Sequence, residues 1–519
     1  MPRGHPIPIP VPRFGAKTDV TQPELPDGYL ARSSNVVARF GRLVFRPGFV
    51  KAVATGPGAR IQGGISFKRT DLVRRVVAAT ATKWSSLAGS TWTDITPVTQ
   101  LTGDADNAQR FEVFPQSGVN WLIGTNNADT PQKWNGSTAT FAAVGGSPCD
   151  KAVDVTAQSN RVIFFNVVLS GTRYHSRLVI SAFNDMDTYD LTNLVADLTD
   201  TDGEGVAVRH LNQGQFAAYK TDSVWLGTAQ AGIFPFQLAL VEKKPGPLTP
   251  AALLVYGNAH YWIGQDFRLY KFDGLAVTAL SDNLDADILA ALRPGGKARV
   301  FGVYRSDDRS LWWYFPSLNS TDPDLAVSYH VETGDMNLHV LPFQVTAAWA
   351  GEDLGTITWA SLATFTWATL PATYPTWGSM GGTLKPTVFI GSQAGQVYRS
   401  YFDTDDDGTP ITASWDSPLR AYEGIQKQHL ADAVESSFEQ VAGGPLVLID
   451  IGVSDALASD TPTYTNFGSH DTTLTTRQLL APLGTIAQGR FLNIRHRVTS
   501  SLPLKYKGSE LYVWSEDLP

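Results

Sequence analysis

The chain has 519 residues, enough for two to four domains or for one large repeat unit with appendages. Hydrophobic residues make up 43% and charged residues only 17%, against a usual charged share of roughly 25%; rich in Gly, Thr, Ser and aromatics, the chain reads as short strands and turns rather than helices. A net charge of -8 leaves no electrostatic footprint for gripping phosphates, and a single cysteine, Cys149, excludes an intramolecular disulfide and a cysteine metal cluster.

The opening stretch, MPRGHPIPIPVPRFG, has alternating prolines and reads as an extended, polyproline-type arm. It lacks the unbroken apolar core of a signal peptide, and no run reaches the roughly 18 apolar residues of a membrane span. The expectation is a soluble chain not exported by the usual route.

From residue 45 to 400 the signal is repetition. One aromatic marks each strand cluster: Trp92, Trp134, Phe183, Trp225, Phe272 and Trp313. Their spacings are 42, 49, 42, 47 and 41 by subtraction of those numbers. Units of about 40–50 residues built from short strands suit the blades of a β-propeller. The segments between the marks have the matching composition: RVIFF (161–165), RLVISAF (177–183), QFAAYKT (215–221), AHYWIG (259–264) and SLWWYF (310–315) are rich in β-branched and aromatic residues and bounded by Gly, Asp, Asn and Ser. QKWNG and YKFDG end alike, because Asn135-Gly136 and Asp273-Gly274 are turn pairs that tolerate positive φ. The aromatic before each pair is expected to fill the space between neighbouring blades. Six such marks and a later tryptophan cluster, Trp359, Trp367 and Trp377, predict about seven blades, with six and eight open.

Helical patterning is sparse. SDNLDADILAAL (281–292) has early acids and later apolar periodicity and fits one short helix. IQKQHLADAVESSFEQ (425–440) fits a helix or a strand with its loop. Beyond 400 a polar linker, DTDDDGTPI (403–411), leads into strands such as PLVLIDIGV (445–453), RFLNIRHRV (490–498) and GSELYVWS (508–515). The fold class expected is therefore all-β: an extended arm and lead-in strand at 1–44, a β-propeller at 45–400, and a C-terminal antiparallel β-sheet or sandwich domain at 401–519.

Motifs for chemistry are few. SSLAGSTW (85–92) is close to the Asp-box turn of sialidase-like propellers, with Leu87 in place of the Asp, and such a box argues for a blade rather than an activity. A glycosidase needs two carboxylates at a set separation, and no pair of acids stands out by spacing. Asp403, Asp405 and Asp407, followed by Gly408, match the first half of a calcium loop; Ser414 stands where the closing Glu belongs, so Ca2+ is a minor candidate and a solvated acidic turn the leading one. The nine histidines show no zinc spacing, and neither a phosphate-binding P-loop nor a G-x-S-x-G elbow is present. FKRTDLVRR (67–75) alternates like a solvated strand face. Trp359, Trp367 and Trp377 suit a glycan platform, core packing or a subunit contact.

Several local patterns together resemble one family. LPDGYLARSSNVVARFGRLVFRPGF (25–49) combines an LPDG turn, an Asn-Val pair and an R-x-G before the first blade. SAFNDMDTYD (181–190), GEGVAVRHLNQGQFAAYKTDSVWLG (203–227), FPFQ (234–237), TWASLATFTWATLPATYPTWGSM (358–380) and GQVYRSYFDTDDDGTPITASWDSPL (395–419) continue it. Taken together they look like the tail nozzle, or packaged-DNA stabilisation plug, of short-tailed phages. The resemblance covers most of the chain and departs most within 52–120. It implies a propeller with a second β domain and no catalysis. The implied assembly is a homo-oligomeric, six-fold ring below the portal and its adaptor or head–tail connector, with tail fibre, spike or tip proteins as further neighbours. Genomic DNA would pass through the lumen without sequence-specific contacts, and the protein would reside in the virion tail. Residues 1–24 would tie the subunit to a neighbour. The alternative expectation is a tail-associated propeller that binds or cleaves host glycan.

Overall fold

The computed structural model describes residues 4–517 apart from positions 19, 40, 100, 147, 475 and 483 and segments 281–290, 354–384, 423–426 and 456–461. Among the described residues, regular structure is almost entirely strand, with three short 3-10 turns. No described helix is long and apolar enough to cross a membrane.

Seven small antiparallel sheets follow one another along the chain. They span 63–94, 110–143, 151–197, 205–242, 254–279, 301–340 and 345–401. The first six are meanders of four strands in sequence order; the third gains a short fifth strand, Val195–Asp197. In the seventh, the chain supplies only three strands, and Gly48–Lys51 from before the first sheet pairs with Val397–Tyr401 to complete it. The first strands of consecutive sheets touch in order. Gly63–Lys68 meets Arg110–Gln116, which meets Lys151–Gln158, which meets Gly205–Asn212. The turn Pro250–Ala252 bridges Gly205–Asn212 and Phe301–Arg305; Val345–Asp353 then touches both Phe301–Arg305 and Gly63–Lys68, which closes the circuit. The fold is all-β and β-propeller-like. Only a backbone without a side chain fits where the circuit closes: a Cβ on Gly64 would lie 2.6 Å from the Trp349 ring.

The six aromatics that mark the sequence period fall one in each of the first six sheets, although not at equivalent places. Trp134, Trp225 and Phe272 lie on third strands, Trp92 on a fourth, Trp313 on a second, and Phe183 in a hairpin turn. The repeated ending is hairpin punctuation. Asn135 Oδ1 accepts from the amides of Ser137 and Thr138, Asp273 Oδ1 from those of Leu275 and Ala276, and Gly136 and Gly274 adopt φ of 80° and 95°. Trp134 packs against Phe67 of the preceding sheet at 5.9 Å between ring centroids, and Phe272 shares a cluster with Tyr219 of the preceding sheet. Both fill the layer between sheets, as expected. Such aromatics bury large areas in layers that backbone alone leaves open.

The remaining strands build two larger sheets. One has the order Val36–Arg39, Arg42–Phe45, Tyr506–Asp517, Lys427–Phe438, Arg477–Leu480, with His5–Ile9 paired to Tyr506–Asp517 and Ala487–Gly489 to Lys427–Phe438. The other runs Arg32–Ser34, Ile411–Asp416, Phe491–Ser500, Leu446–Ser454, Thr463–Asp471. They enclose a core of Val434, Ile449, Ile451, Leu492, Ile494 and Leu511. Stretch 425–440, left open between helix and strand, contributes the strand Lys427–Phe438. The short helix expected at 281–292 falls mostly outside the described residues.

The N-terminal segment, expected to be an extended arm and lead-in strand over 1–44, is extended and docks on its own chain. It contributes four strands to the two larger sheets, and Ile7 and Ile9 pack on their core. The reason is visible in the register: Pro6 and Pro8 face Tyr512 and Glu510 along an edge, where the missing amides are tolerated, while Ile7 and Ile9 alternate inward.

Candidate functional site

Two polar arrangements stand out: a joint where the chain enters and leaves the ring of small sheets, and an ion-pair network at its axis.

At the joint, Arg46 is 2% exposed. It lies in the apolar run LVFRPGF, so its guanidinium enters the interior with its neighbours. Asp406 receives it bidentately, at 2.9 and 2.7 Å, the fork geometry in which a buried guanidinium is best matched. Nε donates to Asn35 Oδ1 at 3.1 Å and Nη1 to the Pro47 carbonyl at 2.9 Å. Asn35 also donates to the Thr412 carbonyl at 2.8 Å and accepts from the Val340 amide at 2.8 Å; its φ of 60° is one that Asn accepts more readily than most residues. Gly48 is held so close to the exit strand that a Cβ there would sit 2.3 Å from the Asp405 carbonyl oxygen. Arg305, 1% exposed, donates to Ser400 and to Asp307 at 2.8 Å, and Arg39 and Arg305 lie near Phe402, at 4.0 and 5.3 Å from its ring centre.

The calcium candidates sit in this exit segment but are not brought together. Asp407 pairs with Lys51 at 2.7 Å, Asp405 accepts from the Gly408 amide at 3.0 Å, and Asp403 occupies a left-handed turn with φ 60°. No set of three or more metal-ligating residues gathers among the described residues. The acid that matters is Asp406, one place off the alternating pattern, turned inward towards Arg46. Trp359, Trp367 and Trp377 lie outside the described residues.

At the axis, the starting ends of first strands carry charge. Arg60 donates to Asp322 at 2.7 Å; Arg299 donates to Asp322 at 3.0 Å and to Asp106 at 2.9 Å. Deeper in, Asp154 accepts from Arg110 at 3.2 Å, Arg209 at 2.5 Å and the Val208 amide at 2.9 Å. Burial pushes the Asp154 pKa up to about 6, and Arg110 and the Val208 amide pull against it. Glu112, on the same first strand as Arg110, is pushed up to about 8, chiefly by burial, with the Asp154 charge adding to it. It is therefore largely protonated at neutral pH. The cavity among Arg60, Gln62, Asp106, Gln109, Arg110 and Arg299 holds about 60 Å³, room for about two waters. Four arginines face three aspartates here, each aspartate paired to at least one of them, which suits a structural lock; Glu112 stands beside them protonated and outside the ion pairs.

Sequence reasoning singled out neither Arg46 nor Asp406 as a pair, nor the axial ions. For Arg46 a signal existed, a lone cation inside an apolar run. For the axial ions none did, because their residues come from four different sheets and from the connections between sheets.

No protein-family model matches the chain, and no curated protein matches it. Among solved structures, a selenomethionine-substituted virginiamycin B lyase from Staphylococcus aureus is similar over 69% of this chain and 99% of its own, at TM-score 0.40 and 8% identity. The computationally designed Ika8 protein is similar over the same shares at TM-score 0.35 and 12% identity. These likenesses are distant; the propeller-like architecture rests on the chain's own strand order and ring of contacts.

Proposed function

We propose that the chain is a structural protein of a short-tailed phage virion: one subunit of a ring in the tail, below portal and adaptor, that retains the packaged genome and conducts it on ejection. The observation that carries this reading is the joint. The two segments 25–49 and 395–419, whose residues resemble the tail family, lie side by side: Arg32–Ser34 pairs with Ile411–Asp416, Gly48–Lys51 pairs with Val397–Tyr401, and Arg46 grips Asp406 between them. Two of the segments that carry the resemblance thus meet in one built unit.

In this reading the seven small sheets are the blades of a seven-bladed propeller, and the two larger sheets pack on it through a shared core. The axis of a single propeller is occupied at one end by the ion pairs of Arg60, Arg299, Asp106 and Asp322, which does not suit passage of a duplex. DNA would run through the space the ring of subunits encloses. A net charge of -8 favours low adhesion to passing phosphate. In this reading the chain acts without catalysis.

The test is to label the C-terminus, purify particles of the encoding phage and image them. Density on the tail axis between portal and tip is the expected result. Label on peripheral fibres, or particles without the protein, would overturn the proposal.

A further inference from the structure

We propose that the bowl at the far end of the first strands is a binding site for a neutral saccharide. The inference does not rest on the tail reading; it comes from the site alone.

The bowl lies where the first strands of the second to fifth sheets turn back, opposite the ion-pair end of the axis. Its volume is about 740 Å³, within the usual range for small-molecule sites. Thirteen residues line it, and none is Asp, Glu, Lys or Arg. In a chain where the other end of the same strands is crowded with ions, this end is neutral. The absence of cations disfavours phosphates and nucleic acid; the absence of carboxylates disfavours amines.

What the lining does offer is amides and one aromatic face. The side chains of Asn160, Gln213, Asn258 and His210 reach the bowl and make no hydrogen bond among the described residues. An amide presents donor and acceptor side by side, and a sugar hydroxyl needs both. Deeper in, Gln158 is pinned by donating to the Asn212 carbonyl at 3.0 Å, and Asn212 donates to Gln215 at 2.6 Å, so the floor is preorganised.

Phe183 supplies the platform. It is 59% exposed at the tip of the hairpin between Thr172–Ala182 and Asp185–Tyr189. The Asn184 amide beside it donates to the Asn160 carbonyl at 2.8 Å, which ties this hairpin tip to the adjacent turn. The nearest cation, Arg161, lies 5.8 Å from the ring centre and is held by donating to the Ser181 carbonyl at 2.7 Å. Ser159 and Asn160 both hold positive φ, 48° and 56°, a tight hairpin turn whose shape is fixed by the strands it joins. An apolar ring beside free amides on rigid turns matches a pyranose, with a C–H face and a rim of hydroxyls.

The experiment uses the purified full chain and saturation-transfer NMR with maltohexaose, cellohexaose and the tetramer of N-acetylglucosamine. At least one should receive saturation on its ring C–H protons. Phe183→Ala should weaken that binding about tenfold, the size of a lost aromatic contact. Asn160→Asp, which keeps the turn and removes a donor, should weaken it as well. Phe183 is exposed, so its variant should melt with the wild type and remain interpretable. No transfer to any of the three sugars would overturn the proposal, as would transfer undiminished in Phe183→Ala. Displacement of a bound sugar by a neutral Gly/Ser peptide at equal concentration would overturn the saccharide assignment.

Discussion

Arg46 and Asp406 lie 360 positions apart and are nearly dry, with side chains 2% and 4% exposed. A buried pair of this kind is stabilising chiefly in the sense that neither member can be removed alone. Arg46→Ala or Asp406→Ala should each lower unfolding free energy by about 3–5 kcal/mol, because the survivor keeps an unpaired charge in the interior. The double variant should be less damaging than the sum of the two, which a denaturant titration of all three proteins checks. Glu112 makes the pH prediction at the same scale. Its pKa rises from an ordinary 4.5 to about 8 in the fold, so the folded state holds a proton that the unfolded state releases. Its contribution is fully present below about 4.5 and is lost as pH climbs through about 8. Glu112→Gln should therefore raise the melting temperature at pH 8 relative to wild type and leave the two alike at pH 4, read by thermal scans at both values. The residue scale is also where the sequence was least informative. DTDDDG drew notice for Asp403, Asp405 and Asp407, yet the alternate acids pair outward or turn, and Asp406 goes inward. Which of four neighbouring acids enters the interior depends on a partner from residue 46, and spacing within six residues carries no trace of it.

The strand Gly48–Lys51 is the element on which closure depends. Gly48→Ala would place a Cβ 2.3 Å from the Asp405 carbonyl oxygen. The backbone there cannot yield without breaking the hydrogen bonds that the Phe49 amide donates to the Asp405 carbonyl at 2.9 Å and the Asp407 amide to the Phe49 carbonyl at 2.6 Å. A loss of about 1–3 kcal/mol, the usual range for overpacking, is expected in a denaturant titration. The N-terminal strand gives a second prediction. Deleting residues 2–20 should destabilise the monomer itself, since His5–Ile9 covers an edge of Tyr506–Asp517 and Ile7 and Ile9 leave its core. A deletion variant that melts with the full chain would contradict this. At this scale much was legible. The aromatic period located one sheet per unit because each small sheet needs about the same length of chain and at least one large ring to fill the layer to its neighbour. Asn-Gly and Asp-Gly located hairpins because the turn chemistry is local. The prolines of HPIPI pointed to an extended arm but not to what it pairs with, because that is decided by Tyr506–Asp517, some 500 residues away.

For the molecule as a whole, the division into 45–400 and 401–519 does not correspond to separable bodies. One hydrophobic cluster runs from Trp313 and Leu254 of the small sheets through Val36, Leu43 and Phe45 to Trp415, Phe438 and Tyr506 of the larger ones. Residues 401–519 expressed alone would lack the four strands supplied by 5–45 and should show no cooperative melt by circular dichroism; adding residues 1–45 in trans should restore one in part. The same entanglement has a consequence in time. Gly48–Lys51 is among the first strands made, and its partner, Val397–Tyr401, is among the later ones, about 350 residues downstream. At a synthesis rate of about 5–20 residues per second the nascent chain spends roughly 20–70 s with its ring unsealed. During that interval Gly48–Lys51 has no partner strand and the first sheet no closing neighbour, so a growing polypeptide of this design depends on the ribosome's pace and on whatever shields it far more than the finished fold ever will.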